Sequence, residues 1–532
     1  MLPRSQVHLA CCALLALLTG PAQAQDWQQQ SGPDHDRVVA GSGLAESWAA
    51  APPVRWQAAV GFGQAPAVVR QGRVYTVGLV RSGQDPLLAA SAPTLAEVAA
   101  GTFPSGTLPG TPAAVKTADY PLALRGDLYA YCREAEDGAP CWTTRLSDSG
   151  LAFKTVKHSS TAWELASPAV TAERLFIHTH TGEMQALAVA DGRVLWRTSL
   201  FDHRMGTWYG GQQGNSCAPL VLDDLVVVGC ENASGNLTVV ALDQQTGAER
   251  WIYESTLVGM NVRTSRLGYG SPGGLPTILG SCGSGTIGLD PRTGALRWSF
   301  AAFPADAAER QQVPPAFQQD AKAAKDYRVD ALRTPFSGFA PVTSGDYVID
   351  AACVGHNAVT SSTWCLRISD GQATLAWRTS EFVPQSASLK SHLIAHGGRL
   401  YGCDSYFPLF AKHYATTRPY RGTGIGEFQC RNLTDGSLCW SSDLFNPLPA
   451  DAGRADSQGT AFLIAGERLI ITNPAGGWIA HLGSAGPASP IRLPASGVPV
   501  LADGLLYLRR LTPDGDPPVA GNLVCIDLRA RP

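Results

Sequence analysis

The 532-residue sequence is poor in charged residues and in long apolar runs. Charged residues make up 16% of the chain and the formal net charge is −3, which argues against a nucleic-acid partner because such a partner selects a basic face. No apolar run approaches the roughly 18 residues that a membrane-spanning helix needs, so we predict no membrane span. The sequence also lacks His-Glu-x-x-His, Gly-x-Ser-x-Gly and Cys-x-x-Cys-His, the motifs of common hydrolases and of c-type haem attachment.

The N-terminus predicts an export signal. A basic start, an apolar run over Leu9–Leu18 and the small-residue stretch Ala22–Ala24 are typical of a cleaved signal peptide. We expect removal of residues 1–24 and a mature protein, residues 25–532, that is soluble and periplasmic or secreted. Cys11 and Cys12 begin the apolar run instead of following it, which disfavours a lipid-anchored cysteine.

A short repeat that ends in tryptophan recurs along most of the chain. In residues 241–251 it reads ALDQQTGAERW, and the other copies end at Trp142, Trp196, Trp298, Trp377 and Trp440. In five of the six copies a glycine stands four residues before the tryptophan, and only Gly371 breaks this spacing, by two residues. Asp-Gly and Thr-Gly pairs between apolar runs indicate hairpin turns, so each copy predicts a strand, a turn and a strand.

The spacing of the repeats predicts a β-propeller. A second apolar pair precedes each hairpin, and successive tryptophans lie 47 to 79 residues apart, which fits four-stranded blades with long loops. Trp56 has no hairpin of its own, whereas Val498–Arg510 and Asn522–Leu528 offer three strands without a tryptophan. Joining these segments would complete a blade and remove an open sheet edge. With a degenerate unit at 459–493, we predict one all-β domain with eight blades, the last closed by the N-terminal strand.

Three insertions account for the longest intervals. They cover residues 80–124, 304–333 and 406–426, and the second has a partly helical pattern. Loops of this length in a compact fold are often functional.

The cysteines predict several disulfides. Eleven of the 13 cysteines remain after removal of the signal, in an exported chain where disulfides persist. Two pairs flank the same hairpin turn in two copies of the repeat, a third brackets another hairpin, and the fourth joins a hairpin to the strand before it. The predicted pairs are Cys132–Cys141, Cys430–Cys439, Cys217–Cys230 and Cys353–Cys365. Cys282, Cys403 and Cys525 are the candidates for the thiol that stays unpaired.

The repeat, the number of blades and the Asp26-Trp27 pair resemble the pyrroloquinoline quinone (PQQ)-like β-propeller superfamily. Its hallmark is the tryptophan-docking motif, which packs each closing tryptophan between blades and therefore indicates fold more than function. The superfamily contains quinone-dependent alcohol and sugar dehydrogenases. It also contains non-catalytic members, such as the propeller lipoprotein of the bacterial outer-membrane assembly machinery.

The resemblance also implies where a cofactor would lie. The dehydrogenases hold PQQ on the propeller axis beneath a disulfide of adjacent cysteines, with calcium bound by Glu, Asn and Asp. The only adjacent cysteines here are Cys11 and Cys12, which leave with the signal. Glu231 and Asn232 fall near the place of the calcium-ligand glutamate. The full set of candidate cofactor-binding residues is His203, Arg204, Trp208, Glu231, Asn232, Asn261 and Arg263. Each of them also fits an ordinary loop or turn.

His178 and His180 alternate on one predicted strand, so both rings would face one side of the sheet and could share a metal. No third ligand can be assigned, and we predict no metal site. The sequence therefore favours an exported, non-catalytic binding or scaffold protein of the cell envelope, with an envelope protein or a small molecule as its partner and without a cofactor. The alternative is a PQQ-dependent dehydrogenase that uses PQQ and calcium to oxidise an alcohol or a sugar.

Overall fold

The computed structural model describes residues 26–41, 43–48, 51–61, 63, 65–81, 85–87, 123–146, 151–154, 165–179, 182–200, 217–231, 236–257, 267–303, 335–336, 340–354, 357–379, 382, 393–403, 428–442, 444–445, 460–473, 476–510 and 522–530. The insertions predicted at 304–333 and 406–426 lie outside these residues, as does most of the one at 80–124.

The described chain forms eight sheets of four or five strands. Two N-terminal strands come first, β1 (Val38–Val39) and β2 (Val54–Ala58). Blade 1 contains β3 (Val68–Arg70), β4 (Arg73–Arg81), β5 (Ala123–Glu134) and β6 (Pro140–Arg145), with β7 (Leu151–Lys154) paired to β5. Blade 2 contains β8 (Ala169–Val170), β9 (Arg174–His178), β10 (Glu183–Ala188) and β11 (Val194–Ser199). Blade 3 contains β12 (Leu220–Leu222), β13 (Leu225–Glu231), β14 (Leu237–Asp243) and β15 (Glu249–Glu254).

The middle of the chain continues the same meander. Blade 4 contains β16 (Leu267–Gly270), β17 (Thr277–Ser281), β18 (Gly285–Leu289) and β19 (Leu296–Ala301). Blade 5 contains β20 (Pro335–Phe336), β21 (Val342–Ser344), β22 (Tyr347–Val354), β23 (Asn357–Ser369) and β24 (Gln372–Thr379). Blade 6 contains β25 (Ile394–His396), β26 (Arg399–Cys403), β27 (Phe428–Asn432) and β28 (Leu438–Ser442).

The last two blades each recruit a strand from the N-terminus. Blade 7 contains β29 (Ala461–Ala465), β30 (Arg468–Asn473), β31 (Gly476–Gly483) and β32 (Gly486–Leu493), and β1 pairs parallel with β29. Blade 8 contains β33 (Val498–Ala502), β34 (Leu505–Arg509) and β35 (Leu523–Asp527), and β2 pairs antiparallel with β35 as its outer strand. The prediction of an all-β, eight-bladed propeller is confirmed.

The inner strands of neighbouring blades contact one another at five seams, through the pairs β3–β8, β8–β12, β16–β21, β21–β25 and β29–β33. Hydrophobic clusters lie between the blades. One joins blades 2, 3 and 4, for example, and another joins blades 7, 8 and 1 with Trp27 and Leu44 of the N-terminal segment. The one helical element among the described residues is a 3-10 turn at Pro272–Gly274. None of the described helical structure has the length and apolarity to cross a membrane.

The closing tryptophans reach from one blade to the turn of the next. The Trp196 indole N–H donates to the Gln244 carbonyl (3.0 Å), and its ring lies so close to Gly247 that an added Cβ would be 2.6 Å from Trp196 Cε3. Gly247 has φ +71°, which favours glycine. Trp56, Trp142, Trp251 and Trp377 make the same pair of contacts with a carbonyl and a glycine of the following blade.

The seam between blades 4 and 5 differs. Asp370 (φ 52°) and Gly371 (φ 73°) form a two-residue turn between β23 and β24, which is the tight hairpin type that needs positive φ at both central residues. Nothing lies within 4 Å of a Cβ built on Gly371. The shorter turn does not reach Trp298. Its two-residue form also explains why the spacing from Gly371 to Trp377 differs from that of the other copies of the repeat.

The residue that pairs with each closing tryptophan on the third strand is always small. Ala186 pairs with Trp196, Ala241 with Trp251 and Gly288 with Trp298. A Cβ on Gly288 would come within 2.3 Å of Trp298 Cε2, which shows how little room the ring leaves. Blades 1, 5, 6 and 8 use cysteine at this place, namely Cys132, Cys365, Cys430 and Cys525.

Candidate functional site

The two faces of the ring carry different connections. Two turns of each blade lie on one face of the ring, which we call the turn face. They are the turn between the first two strands and the turn before the outer strand. The ends of the second and outer strands lie on the opposite face. The predicted cofactor-binding residues follow strand ends of that opposite face, since β11 ends at Ser199, β13 at Glu231 and β15 at Glu254.

Most of these residues lie outside the described part of the chain. His203, Arg204, Trp208, Asn232, Asn261 and Arg263 belong to this group. Glu231 is described as the last residue of β13, where it pairs with Leu237 of β14. The three strand ends at Ser199, Glu231 and Glu254 lie on one face. The role of the predicted residues in binding a ligand stays a prediction.

His178 serves the seam between blades 2 and 3. Its ring is 2% exposed, and Nδ1 lies 2.9 Å from the Cys217 carbonyl oxygen at the start of blade 3. Burial lowers the pKa of His178 to about 4, so the ring is neutral at ordinary pH. His180, its predicted companion, lies outside the described residues. Among those that are described, no three His, Cys, Asp or Glu side chains are grouped to hold a metal ion.

Polar residues at the end of the second strand tie two other seams in the same manner. The Thr472 hydroxyl donates to the Gly497 carbonyl (2.6 Å), and the Arg509 guanidinium donates to the carbonyls of Val60 (3.2 Å) and Gly61 (3.0 Å). Arg509 is 0% exposed, and burial lowers its pKa to about 10. Sequence reasoning missed this role because each acceptor belongs to the next blade.

A buried carboxyl group joins blades 4 and 5. Asp350 of β22 is 0% exposed, and its Oδ2 accepts a hydrogen bond from the Thr286 hydroxyl of β18 (2.8 Å). The Trp364 indole donates to the same hydroxyl (2.9 Å). Burial raises the pKa of Asp350 to about 7, although the Thr286 bond opposes that shift. This polar chain lies in the seam where the turn at Gly371 makes no contact with a tryptophan.

No disulfide is recorded among the ten cysteines whose side chains are described. The prediction of a Cys353–Cys365 bridge is wrong, because Cys365 pairs with Ile349 across β22 and β23. Four residues of strand separate Ile349 from Cys353, which is roughly 13 Å at the usual rise and well beyond the roughly 7 Å that a disulfide tolerates between Cα atoms. Cys365 instead fills the small-residue place opposite Trp377.

Two of the other predicted pairs, Cys132–Cys141 and Cys430–Cys439, are neighbouring thiols. Cys132 pairs with Trp142 and the register then shifts, which leaves Cys141 as the extra residue of a β-bulge beside Cys132. Cys430 and Cys439 have the same arrangement in blade 6. A bulge places two residues opposite one, so both cysteines of a pair come together. Cys217 and Cys230 are both buried, and the Cys217 sulfur accepts the Gly229 N–H (3.3 Å).

Comparisons with known proteins agree with this geometry. Residues 125–313 match the family described as outer membrane protein assembly factor BamB. The quinohemoprotein alcohol dehydrogenase from Comamonas testosteroni shares 11% identity with a TM-score of 0.52, over 95% of this chain and 81% of that chain. BamB from Moraxella catarrhalis shares 14% identity with a TM-score of 0.43, over 78% of this chain and 92% of that chain. No curated protein sequence matches the chain.

The matched residues run from β5 of blade 1 to beyond β19 of blade 4 and contain the glycines that receive Trp142, Trp196 and Trp251. The dehydrogenase likeness shows a shared fold over nearly the whole chain. The repeated turns, the eight-bladed ring and the family match over residues 125–313 support a relationship to the PQQ-like β-propeller superfamily.

Proposed function

We propose that this propeller is an exported, non-catalytic binding or scaffold protein of the cell envelope. The match to the outer membrane protein assembly factor family supports this role, as does the predicted signal at residues 1–24. The buried ionisable groups of the seams support it too, since Arg509, His178 and Asp350 bond to carbonyls or hydroxyls of neighbouring blades. They stabilise a rigid ring.

The observation that carries the proposal is a repeated apolar residue on the outer strands. Two residues before the closing tryptophan, Leu296, Leu375, Leu438 and Val54 are 46%, 48%, 47% and 37% exposed. Each lies on the edge strand of its sheet, with no further strand beside it in the described part of the chain. Edge strands with exposed apolar side chains are surfaces to which an extended segment of another protein adds. We therefore propose a protein partner with an extended segment.

A photo-crosslinking amino acid at Leu296 or Leu375, in cells that export the protein, tests this proposal. Glu249 stands at the same place in blade 3 and is also exposed, so it is the matched control. We expect adducts with an envelope protein from the two leucine positions and none from Glu249. Equal adducts at all three positions, or none at any, would refute binding at the outer edges.

The second candidate is a PQQ-dependent dehydrogenase, which the likeness to an alcohol dehydrogenase over 95% of the chain favours. When bound, PQQ supplies the redox chemistry. His203, Arg204, Trp208, Asn261 and Arg263 would hold it, with Glu231 and Asn232 as calcium ligands at the strand ends of the face opposite the turn face. Absorbance spectroscopy and calorimetry after incubation with PQQ and Ca²⁺ separate the two functions. Our first proposal expects no bound quinone and no reduction of an electron-accepting dye by alcohols or sugars.

We also propose that three of the predicted cysteine pairs oxidise on export. Each pair, Cys132–Cys141, Cys430–Cys439 and Cys217–Cys230, would lose two electrons and two protons to the disulfide of an oxidised carrier. Peptide mapping of the exported protein without reducing agent should recover each pair as one linked peptide. Recovery of both hairpin pairs as free thiols from a non-reducing compartment would contradict this expectation.

A further inference from the structure

The N-terminal segment Asp26–Gly41 contacts the innermost strands one blade after another. The Trp27 backbone exchanges two hydrogen bonds with Val69 of blade 1 (2.9 and 2.8 Å). The Gln28 carbonyl accepts the Val170 N–H of blade 2 (2.9 Å), and Gln29 Oε1 accepts the Val221 N–H of blade 3 (3.2 Å). Three consecutive residues thus bond to three consecutive blades.

The second half of the segment continues around the ring. The His35 ring packs against Tyr269 of blade 4, with 5.0 Å between centroids. The Arg37 guanidinium donates to the Phe462 carbonyl of blade 7 (3.1 Å) and to the Pro499 carbonyl of blade 8 (3.2 Å). Val38 and Val39 then pair with β29 of blade 7.

These contacts place the segment across the propeller axis. Blades 3 and 7 are opposite each other in an eight-bladed ring, and so are blades 4 and 8. One short segment that bonds to both members of such pairs must cross the centre. The contacts lie beside the first turns of the blades, since the Gln71 N–H of blade 1 donates to Asp26 (2.9 Å) and the Gly466 N–H of blade 7 donates to Val39 (2.9 Å). The segment therefore covers the axis at the turn face.

The segment has a compact structure of its own. Trp27 is 0% exposed, and the Arg37 guanidinium lies 5.7 Å from the centre of the Trp27 ring. A Cβ built on Gly32 would lie 3.4 Å from Trp27 Cη2. Arg37 also donates to the Gln30 carbonyl (3.1 Å). His35 and Arg37 both have φ 60°, and non-glycine residues keep this conformation only where their surroundings fix it. The surrounding strands therefore determine the shape of the segment.

Arg37 also compensates for a missing tryptophan. The outer strand of blade 7, β32, contains none, so the seam with blade 8 lacks the contact that most other seams have. Arg37 bonds to both blades of this seam.

We propose that the axis at the turn face is a peptide-binding site whose occupant is the chain's own segment Asp26–Gly41. The bound segment blocks this end of the channel and holds blades 7 and 8 together. A ligand that reaches the axis then enters from the opposite face, where the predicted cofactor-binding segments leave the strands. The inference stands on the segment itself and does not depend on the identity of any external partner.

A cleavable full-length protein tests the proposal. A protease site inserted between Glu46 and Ser47, which are both exposed, separates the segment from the ring after folding. We expect the cleaved fragment to stay with the ring on size-exclusion chromatography, and the double variant Trp27→Ala/Arg37→Ala to release it. Arg193→Ala, at an arginine that is 70% exposed, is the control and should retain the fragment. Release of the unmutated fragment, or retention of the double variant, would overturn the proposal.

Hydrogen exchange in the uncleaved protein gives a second readout that does not depend on the cut. The amides of Val170 and Val221 donate to the segment, whereas those of Val227 and Val240 bond within blade 3. In the double variant we expect exchange at Val170 and Val221 to accelerate by about tenfold or more, as local opening predicts, with little change at Val227 and Val240. Uniform acceleration at all four amides would mean that the substitutions loosen the fold generally, and no acceleration would mean that the segment is not bound. Either outcome contradicts the proposal.

Discussion

The seam between blades 2 and 3 and the seam between blades 4 and 5 solve one packing problem in two ways. In the first, the Trp196 ring lies on Gly247 and its N–H bonds to the Gln244 carbonyl. In the second, the turn at Gly371 is shorter, and no described contact joins it to Trp298. The apolar contact there is replaced by the buried chain of Trp364, Thr286 and Asp350.

In these two seams, the turn that reaches the previous blade goes with tryptophan packing, and the turn that does not reach it goes with a buried polar chain. A turn that reaches the previous blade permits packing and a neutral hydrogen bond, which do not depend on pH. Where the turn at Gly371 does not reach Trp298, polar groups of the strands contact each other across the seam. One of these groups, the Asp350 carboxyl, can gain or lose a proton. The two seams should therefore respond differently to substitution and to pH.

The largest effect should come from removing a seam altogether. A chain that ends before Val498 lacks β33, β34 and β35, so β2 loses its partner and Trp56 loses Cys525. Closure of the ring supports every other seam, so we expect the folded structure to be lost cooperatively. The truncated protein should aggregate or be degraded during expression, as measured by its soluble yield. A monomer with an unchanged melting curve would show that the two terminal segments do not hold the ring closed.

The tryptophans of the two seams should differ in their contribution to stability. Trp196→Ala removes a buried ring, a contact with glycine and a hydrogen bond, and should cost about 3–5 kcal/mol. Trp298→Ala leaves a similar cavity but removes no indole hydrogen bond to the next blade. It should therefore lower the free energy of unfolding by about 1 kcal/mol less than Trp196→Ala does. Calorimetric melting of both variants beside the parent protein measures the difference. A larger loss for Trp298→Ala would reverse the comparison.

The pH dependence should come from the seam between blades 4 and 5. Because the folded-state pKa of Asp350 is raised from 3.8 to about 7, the folded protein binds a proton that the unfolded chain releases between these values. Stability is therefore full below about pH 4 and falls as the pH rises to about 7, by at most roughly 4 kcal/mol. The neighbouring Cys282 thiol is neutral throughout, since burial raises its pKa to about 12.

Asp350→Asn should remove this dependence. Melting temperatures of the variant and the parent protein, measured from pH 4 to pH 8, should converge at low pH and separate at high pH, with the variant more stable there. Because burial lowers the pKa of His178 to about 4, that residue lowers the stability of the fold as the pH falls below about 6.5. This loss of stability is equal in both proteins. Parallel curves for the two proteins would exclude Asp350 as the source.

The glycines provide the finest comparison. Gly247 and Gly371 have nearly equal φ, +71° and +73°, but only Gly247 faces a tryptophan. Alanine at either position has the backbone cost of a left-handed conformation, about 1–2 kcal/mol. At Gly247 it also collides with Trp196, and we expect a further 2 kcal/mol, roughly the cost of overpacking. Melting of the two variants isolates the contact, and equal losses would show that the ring moves aside freely.

The sequence predicts the blades well because the relevant signal is local. An Asp-Gly or Thr-Gly turn with a tryptophan four residues later fixes two strands and a contact surface, and the exception at Gly371 already marks the unusual seam. Contacts between residues of different blades could not be predicted from the sequence. Nothing local connects Asp350 with Thr286, or Arg37 with Phe462, because these contacts exist only once the ring has closed.

The cysteines show a second limit. Their places beside turns suggest bridges, but the register between β22 and β23 is set by strand pairing and puts Ile349 opposite Cys365. The bulge beside each closing tryptophan is also invisible in the sequence, although it brings Cys141 next to Cys132. For the candidate ligand residues, the sequence predicts only that their segments follow strand ends of one face. Loop conformation, which depends on tertiary contacts, decides what they bind.

The recruitment of β1 and β2 into the last two blades has a consequence for the order of folding. Arg37 bonds to a residue 425 positions later, and Arg55 to one 472 positions later. The N-terminal strands β1 and β2 are therefore synthesised first and remain unpaired until the strands of blades 7 and 8 have been synthesised. Contacts of such separation form slowly, and an unpaired strand that waits is prone to wrong pairing. During synthesis this chain should need a chaperone that shields residues 26–58 until blade 8 emerges.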